Sequence, residues 1–216
     1  GQRCSALRVL FLQEEIADGV IEMLIGAMDA LNLGDPALLT TDVGPVIDQR
    51  AYASLQAHVE SMQATDGARV LARFDSARVP QSGAFFPPTL IEIDSLDVLK
   101  EEVFGAVIHV LRYKSKHLRK VLDDINNTGF GLTLGVHSRR ENFANTIFEH
   151  TRCGNTYINR NVVGAVVGVQ PFGGQGLSGT GPKAGGPRYL YRFATEKTKT
   201  TNLVATGGDV SLLNLE

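Results

Sequence analysis

Between Val103 and Asn159 short apolar runs alternate with amphipathic stretches of helical length, and this alternation most restricts the folds open to the chain. Val103–Tyr113, Leu132–Val136 and Gly154–Asn159 have the length and apolar content of strands. Lys116–Asn126 and Glu141–Glu149, lying between them, repeat apolar residues at helical spacing. Strands joined through single helices run parallel and need cover on both sides. The expected class is therefore α/β, a mostly parallel sheet with helices on both faces.

The upstream half carries the same two periodicities. From Val9 to Leu33, Ile16, Ala17, Val20, Ile21, Leu24, Ile25 and Met28 recur at three- and four-residue steps, which predicts one helix ended by Gly34-Asp35-Pro36. A second helix is predicted through Ala51, Leu55, Val59 and Met62 as far as Asp66-Gly67. Ala68–Phe74 and Ala84–Ile93 read as strands, the latter with Pro87-Pro88 marking an irregular approach. Periodicity then disappears between Gly164 and Pro187, where nine glycines suit a loop that brings backbone amides close to a ligand. The polar, β-prone stretch Thr195–Thr201 reads as an edge strand that needs a partner.

Composition narrows the function. The 21 basic and 23 acidic residues are interspersed, so no basic face is set out for a run of phosphates, and nucleic acid is not an expected partner. The most apolar helical stretch carries Glu14, Glu15, Asp18, Glu22 and Asp29, which rules it out as a membrane span and favours a water-soluble segment. Cys4 and Cys153 form no CxxC pair, which fits a reducing, cytoplasmic setting. His58, His109, His117, His137 and His150 are scattered, so no metal site is expected. With Gly1 first, and neither a charged nor an apolar leader after it, the chain reads as a piece of something longer.

Two motifs are candidates for chemistry. Gly174-Gln-Gly176-Leu-Ser-Gly179 matches the dinucleotide fingerprint GxGxxG, but that motif must open a helix, and the glycines and prolines from Gly181 to Pro187 forbid one. Cys4, just ahead of an apolar run, is either a small buried hydrophobe or a nucleophile. In a cysteine hydrolase a histidine would have to be brought to it by the fold, which spacing alone does not exclude. Cys153 reads as structural.

Several separated blocks together resemble the aldehyde dehydrogenase superfamily. They are Gly1-Gln2-Arg3-Cys4, Gly34-Asp35-Pro36, Thr41-Asp42-Val43-Gly44-Pro45, Pro88-Thr89-Leu90, Glu101-Glu102-Val103-Phe104-Gly105, and Pro171-Phe172-Gly173-Gly174 with Ser178-Gly179. Cys4-Ser5 and the stretch from Gly164 to Phe172 are similar to the pyrroline-5-carboxylate dehydrogenases. The ending Gly207-Gly208-Asp209-Val210-Ser211-Leu212-Leu213 resembles the bifunctional proline utilization A proteins, which join that enzyme to a proline dehydrogenase.

The resemblance implies a catalytic domain over residues 1–194 and a tail, 195–216, serving oligomerisation. It implies NAD-dependent oxidation of L-glutamate γ-semialdehyde to glutamate, through a hemithioacetal and then a thioester on Cys4. The backbone N–H of Cys4 would donate to the oxyanion. Glu102 would hold the nicotinamide ribose and Phe104 would pack beside that ring. Ser5, Gly164 and Ala165 would hold the substrate carboxylate, and Phe172 would cover its aliphatic chain. Ala165 stands where many relatives have serine, which removes a hydroxyl from that anchor. The Rossmann-like cofactor domain, the general base and the oxyanion-hole asparagine of the family would lie before Gly1, so this chain alone is expected to be inactive. A bifunctional parent would carry FAD only in its proline dehydrogenase part. The alternatives are a dehydrogenase for another aldehyde, such as succinate semialdehyde, and a homo-oligomerisation module without activity.

Overall fold

Alternation along a single strand decides the architecture. In the computed structural model, which describes residues 1–207, strand β1 spans Val9–Gln13, followed by helices α1 (Glu14–Asp29) and α2 (Gln49–Gln63). Strands β2 (Ala68–Arg73), β3 (Thr89–Ile93) and β4 (Val107–Tyr113) come next. Successive side chains of β4 face opposite sides of the sheet, and each side meets its own helix. Val107 and Leu111 join Leu55, Val59 and Met62 of α2, whereas Val110 joins Ala17 and Ile21 of α1. β3 repeats the division, with Ile91 and Ile93 in the α2 cluster and Leu90 in the α1 cluster. Ile91 and Val110 keep 0% of their surface, and burying a side chain of this size contributes about 1.5–3 kcal/mol.

The strand order is β1-β4-β3-β2, with β1 and β3 parallel to β4 and β2 antiparallel at the edge. Arg112 of β4 crosses to Glu92 of β3 and to Asp18 of α1, at 2.7 Å, tying the α1 face to the sheet. A smaller unit follows, made of α3 (Leu118–Asn127), β5 (Phe130–Gly131), β6 (Thr133–Val136), α4 (Glu141–His150), β7 (Asn155–Ile158) and β8 (Gln175–Gly176). β6 and β7 pair in parallel, and Leu122, Val136, Ala144 and Ile147 close the core between them and the helices. β5 and β8 pair antiparallel, which fastens the glycine-rich segment to this unit.

The expected α/β class, with a mainly parallel sheet covered on both faces, is what the chain forms. The single helix expected from Val9 is a strand and then a helix. Val9 to Leu12 are apolar in succession and pair with β4, and Glu14 and Glu15 occupy the first helical turn, where negative charge suits the helix dipole. The expected strand Ala84–Ile93 begins only at Thr89, after the two prolines, which lack ladder donors. Residues 195–201 carry no strand pairing within this one chain. The motif from Gly208 to Leu213 lies outside the described residues. Among the described residues no helix is long and apolar enough to cross a membrane, and no three metal-ligating side chains gather.

Candidate active site

Because β1 and β4 run parallel with Val9 opposite His109, the residues that lead into both strands share one end of the sheet. Cys4 leads into β1, and Glu102 and Phe104 lead into β4. Cys4 lies in a tight turn closed by the Ala6 N–H donating to the Arg3 carbonyl at 3.0 Å. The turn is held from outside as well: the Gln2 side-chain oxygen accepts from the Ile47 N–H at 2.8 Å, and a side chain on Gly1 would run into the Gly105 carbonyl. Cys4 is exposed, and Ser5 beside it is buried.

Arg8 binds the two leading segments together. Its guanidinium donates to the Gly1 and Arg3 carbonyls, each at 2.8 Å, and to Glu102 Oε1 from Nε at 3.2 Å and from Nη2 at 3.1 Å. The same group stacks on the Phe104 ring, 4.5 Å from its centroid. Both Arg8 contacts to Glu102 use Oε1, and the carboxylate remains 43% exposed, while the Phe104 ring is 40% exposed. An exposed acceptor beside an exposed flat ring suits a sugar hydroxyl and an aromatic base.

Beside the Arg8 main chain lies a histidine pair, His109 buried and His58 half-buried. His109 of β4 is 1% exposed, with its Nε2 2.9 Å from Nε2 of His58 on α2 and its Nδ1 3.3 Å from the Arg8 carbonyl. Burial, then the neighbouring His58, lowers the His109 pKa to about 4. Burial also lowers that of His58, against the pull of Glu101.

Phe172 reaches the same place from the glycine-rich side. The Asn155 amide clamps both neighbours of Phe172, donating to the Pro171 carbonyl at 3.0 Å and accepting from the Gly173 N–H at 3.1 Å. The Lys183 ammonium donates to the Gly173 carbonyl, and burial lowers its pKa. Phe172 and Ala184 exchange backbone hydrogen bonds at 3.1 and 2.9 Å, and the Ser178 hydroxyl accepts from the Gly131 N–H at 3.0 Å. A side chain on Gly154 would collide with the Gly173 carbonyl, so that position needs glycine for close approach.

These elements line an open cavity of about 300 Å³, with Cys4, Phe172, Leu132, Thr180 and Tyr189 in its wall and glycine backbone between them. Of the residues singled out from sequence, Cys4 and Phe172 are brought together here, with Glu102 and Phe104 linked to the cysteine turn through Arg8. Ser5, Gly164 and Ala165 do not line the cavity; the Gly164 carbonyl accepts from Arg160 at 3.3 Å, and Ala165 is exposed. Cys153 stands apart from the cavity, half-buried, and burial raises its pKa. The GxGxxG stretch turns back through β8 and opens no helix, and Gly179 at φ +156° lies against the Gly174 backbone. A larger groove of about 740 Å³, lined by Tyr52, Gln56, Arg73, Pro80 and Phe85, contains none of these residues.

Arg8, Asn155 and Lys183 escaped the sequence reading. An arginine immediately before an apolar strand was a usable signal for Arg8, since a guanidinium there must find acceptors beside the sheet. For Asn155 and Lys183 the sequence held no signal, because their partners are main-chain atoms of a segment distant in sequence.

Residues 1–199 match the family model described as "Aldehyde dehydrogenase family". The chain is 54% identical over 200 residues to the bifunctional protein PutA of Klebsiella aerogenes, covering 91% of this chain and 15% of that protein. It is 36% identical over 200 residues to the 1-pyrroline-5-carboxylate dehydrogenase of Geobacillus kaustophilus, covering 92% of this chain and 38% of that protein. A crystal structure of a Bradyrhizobium japonicum proline utilization A mutant superposes with a TM-score of 0.85 at 52% identity, over 94% of this chain and 20% of the other. Aldehyde dehydrogenase 21 from Physcomitrella patens, in complex with the reaction product succinate, superposes with a TM-score of 0.75 at 29% identity, over 85% of this chain and 37% of the other. The chain thus spans a minor part of each relative.

Proposed function

We propose, on the premise that this chain belongs to the aldehyde dehydrogenase family, that it carries the nucleophile-bearing part of an NAD-dependent L-glutamate γ-semialdehyde dehydrogenase acting in proline catabolism. The observation that carries this reading is the cavity shared by Cys4 and Phe172, a thiol and an aromatic wall held together by two independent elements. The relatives named bifunctional protein PutA and 1-pyrroline-5-carboxylate dehydrogenase support the choice of substrate.

In this proposal the Cys4 thiolate adds to the aldehyde carbon, forming a C–S bond and an oxyanion that accepts from the Cys4 backbone N–H. NAD⁺, when bound, supplies the hydride acceptor that turns this hemithioacetal into a thioester. Water then breaks the C–S bond, releasing glutamate and regenerating the thiolate. Glu102 offers its open carboxylate oxygen to a ribose hydroxyl, and Phe104, backed by Arg8, offers a ring face. Phe172 would cover the aliphatic chain of the substrate; Ser5 and the amides of Gly164 and Ala165, which lie outside the cavity lining in this structure, would have to turn towards it to hold the carboxylate. The full-length protein is proposed to be cytoplasmic and bifunctional, with FAD confined to a proline dehydrogenase part. Residues 195–216 are proposed to pair with a second copy, consistent with the unpaired stretch 195–201.

A second reading, oxidation of succinate semialdehyde, is favoured by the structural likeness to the succinate-bound plant enzyme. NADH formation by the full-length protein, with each aldehyde in turn, separates the two. Glutamate γ-semialdehyde is expected to give the higher kcat/KM; a preference for succinate semialdehyde would replace the first reading with the second.

A further inference from the structure

We propose that Arg8 is a positioning residue that couples the Cys4 turn to the Glu102–Phe104 segment, so that nucleophile and cofactor-side groups are held as one unit. The inference rests on the active-site reading above, but not on the identity of the aldehyde. The geometry argues for it directly. One planar guanidinium, only 20% exposed, fixes two carbonyls of the cysteine turn, Gly1 and Arg3, and one oxygen of Glu102, while its face lies on Phe104. An arginine offers five donors in a rigid fork, and here both ends of the fork are in use.

The root of the side chain is fixed as well. The Arg8 carbonyl accepts from the His109 N–H at 3.0 Å and faces His109 Nδ1, so the arginine projects from a main chain already locked to β4. Apart from Arg8, the turn is met by the close approach of Gly1 to the Gly105 carbonyl and by the Gln2–Ile47 hydrogen bond, neither of which reaches Glu102. Removing the guanidinium therefore loosens the turn, which keeps only its Ala6–Arg3 and Gln2–Ile47 hydrogen bonds, and releases the Glu102 carboxylate at the same time. Lysine in its place provides one point charge, which can meet Glu102 or a turn carbonyl but cannot bridge all three acceptors.

The test uses the full-length protein with Arg8→Met and Arg8→Lys, and reads two quantities without turnover. These are the rate at which iodoacetamide alkylates Cys4 across pH 6–9, and the hydrogen–deuterium exchange of the peptide covering residues 101–106. With Arg8→Met, the alkylation rate is expected to change about ten-fold, roughly the effect of losing one charged hydrogen bond, and exchange in 101–106 to quicken in parallel. With Arg8→Lys, Glu102 is partly retained and the turn is not, so alkylation changes nearly as much while exchange recovers in part. Wild-type values for both readouts in Arg8→Met, or a change confined to one of them, would overturn the coupling. Should Arg8→Met fail to fold, Arg8→Lys decides by the same criteria. Failure to oxidise glutamate γ-semialdehyde would count against the proposed substrate and leave these readouts standing.

Discussion

The sheet β1-β4-β3-β2 and the glycine-rich segment 164–187 both bear on Cys4, yet they are held by different forces. The sheet is a two-faced apolar core in which Ile91, Val107 and Val110 are nearly or wholly buried, and its order follows from side-chain periodicity. The glycine-rich segment contributes little to any core, and Val166, Val167 and Val169 stand exposed. It is fastened by polar clamps onto its main chain, from Asn155 and Lys183, and by the backbone exchange between Phe172 and Ala184. A buried apolar face gives a rigid platform for Cys4, the proposed nucleophile. Polar clamps give a wall that can be shaped, with little cost to the core, to the chain of a substrate.

If that division is right, core and clamp substitutions will separate cleanly. Ile91→Ala should produce the largest loss of stability, about 4 kcal/mol from lost burial and a residual cavity, read as faster amide exchange throughout β3 and β4. An unchanged exchange pattern would break the claim that burial holds the sheet. Acid should act on the same region. His109 has a folded pKa of about 4, below its unfolded value near 6.5, so the stability it contributes is complete above pH 6.5 and is lost as pH falls towards 4. The loss is expected to be roughly 3 kcal/mol by pH 4, and His109→Gln should flatten it in a denaturation series across pH.

Asn155→Ala tests the other side. With both Asn155 hydrogen bonds to 171–173 gone and only Lys183 and the Phe172–Ala184 pairing left, KM for the aldehyde should rise about ten-fold while exchange in β3 and β4 stays as in the wild type. Equal loss of protection in the sheet would show that the two regions are one cooperative unit. The smallest effect is expected for Ala165→Ser, which restores a hydroxyl to the proposed carboxylate anchor and should lower KM about three-fold with kcat unchanged. No change in KM would remove Ala165 from the anchor and sharpen the role of Phe172.

The sequence made the fold legible where periodicity is strong. α2 and the strand-helix alternation after Val103 lie close to where spacing put them, because one face of each must be buried. The segment Val9–Gln13 misled because its four consecutive apolar residues fit the start of the helical pattern that follows as well as a strand, and only the pairing with β4 decides between them. Cys4 and Phe172 were legible through resemblance and meet in one cavity. Arg8 was not recognised, since its significance lies in acceptors at Gly1, Arg3 and Glu102 that come together only once β1 and β4 pair.

The central claim is that Cys4 becomes acylated during turnover. The most direct measurement is mass spectrometry of the Cys4 peptide after the full-length protein has met glutamate γ-semialdehyde and NAD⁺ and been quenched in acid. A glutamyl thioester on Cys4, absent without NAD⁺ and absent in Cys4→Ala, is the predicted result. NADH formed by the Cys4→Ala protein at the wild-type rate, or turnover with the Cys4 peptide never modified, would contradict the account.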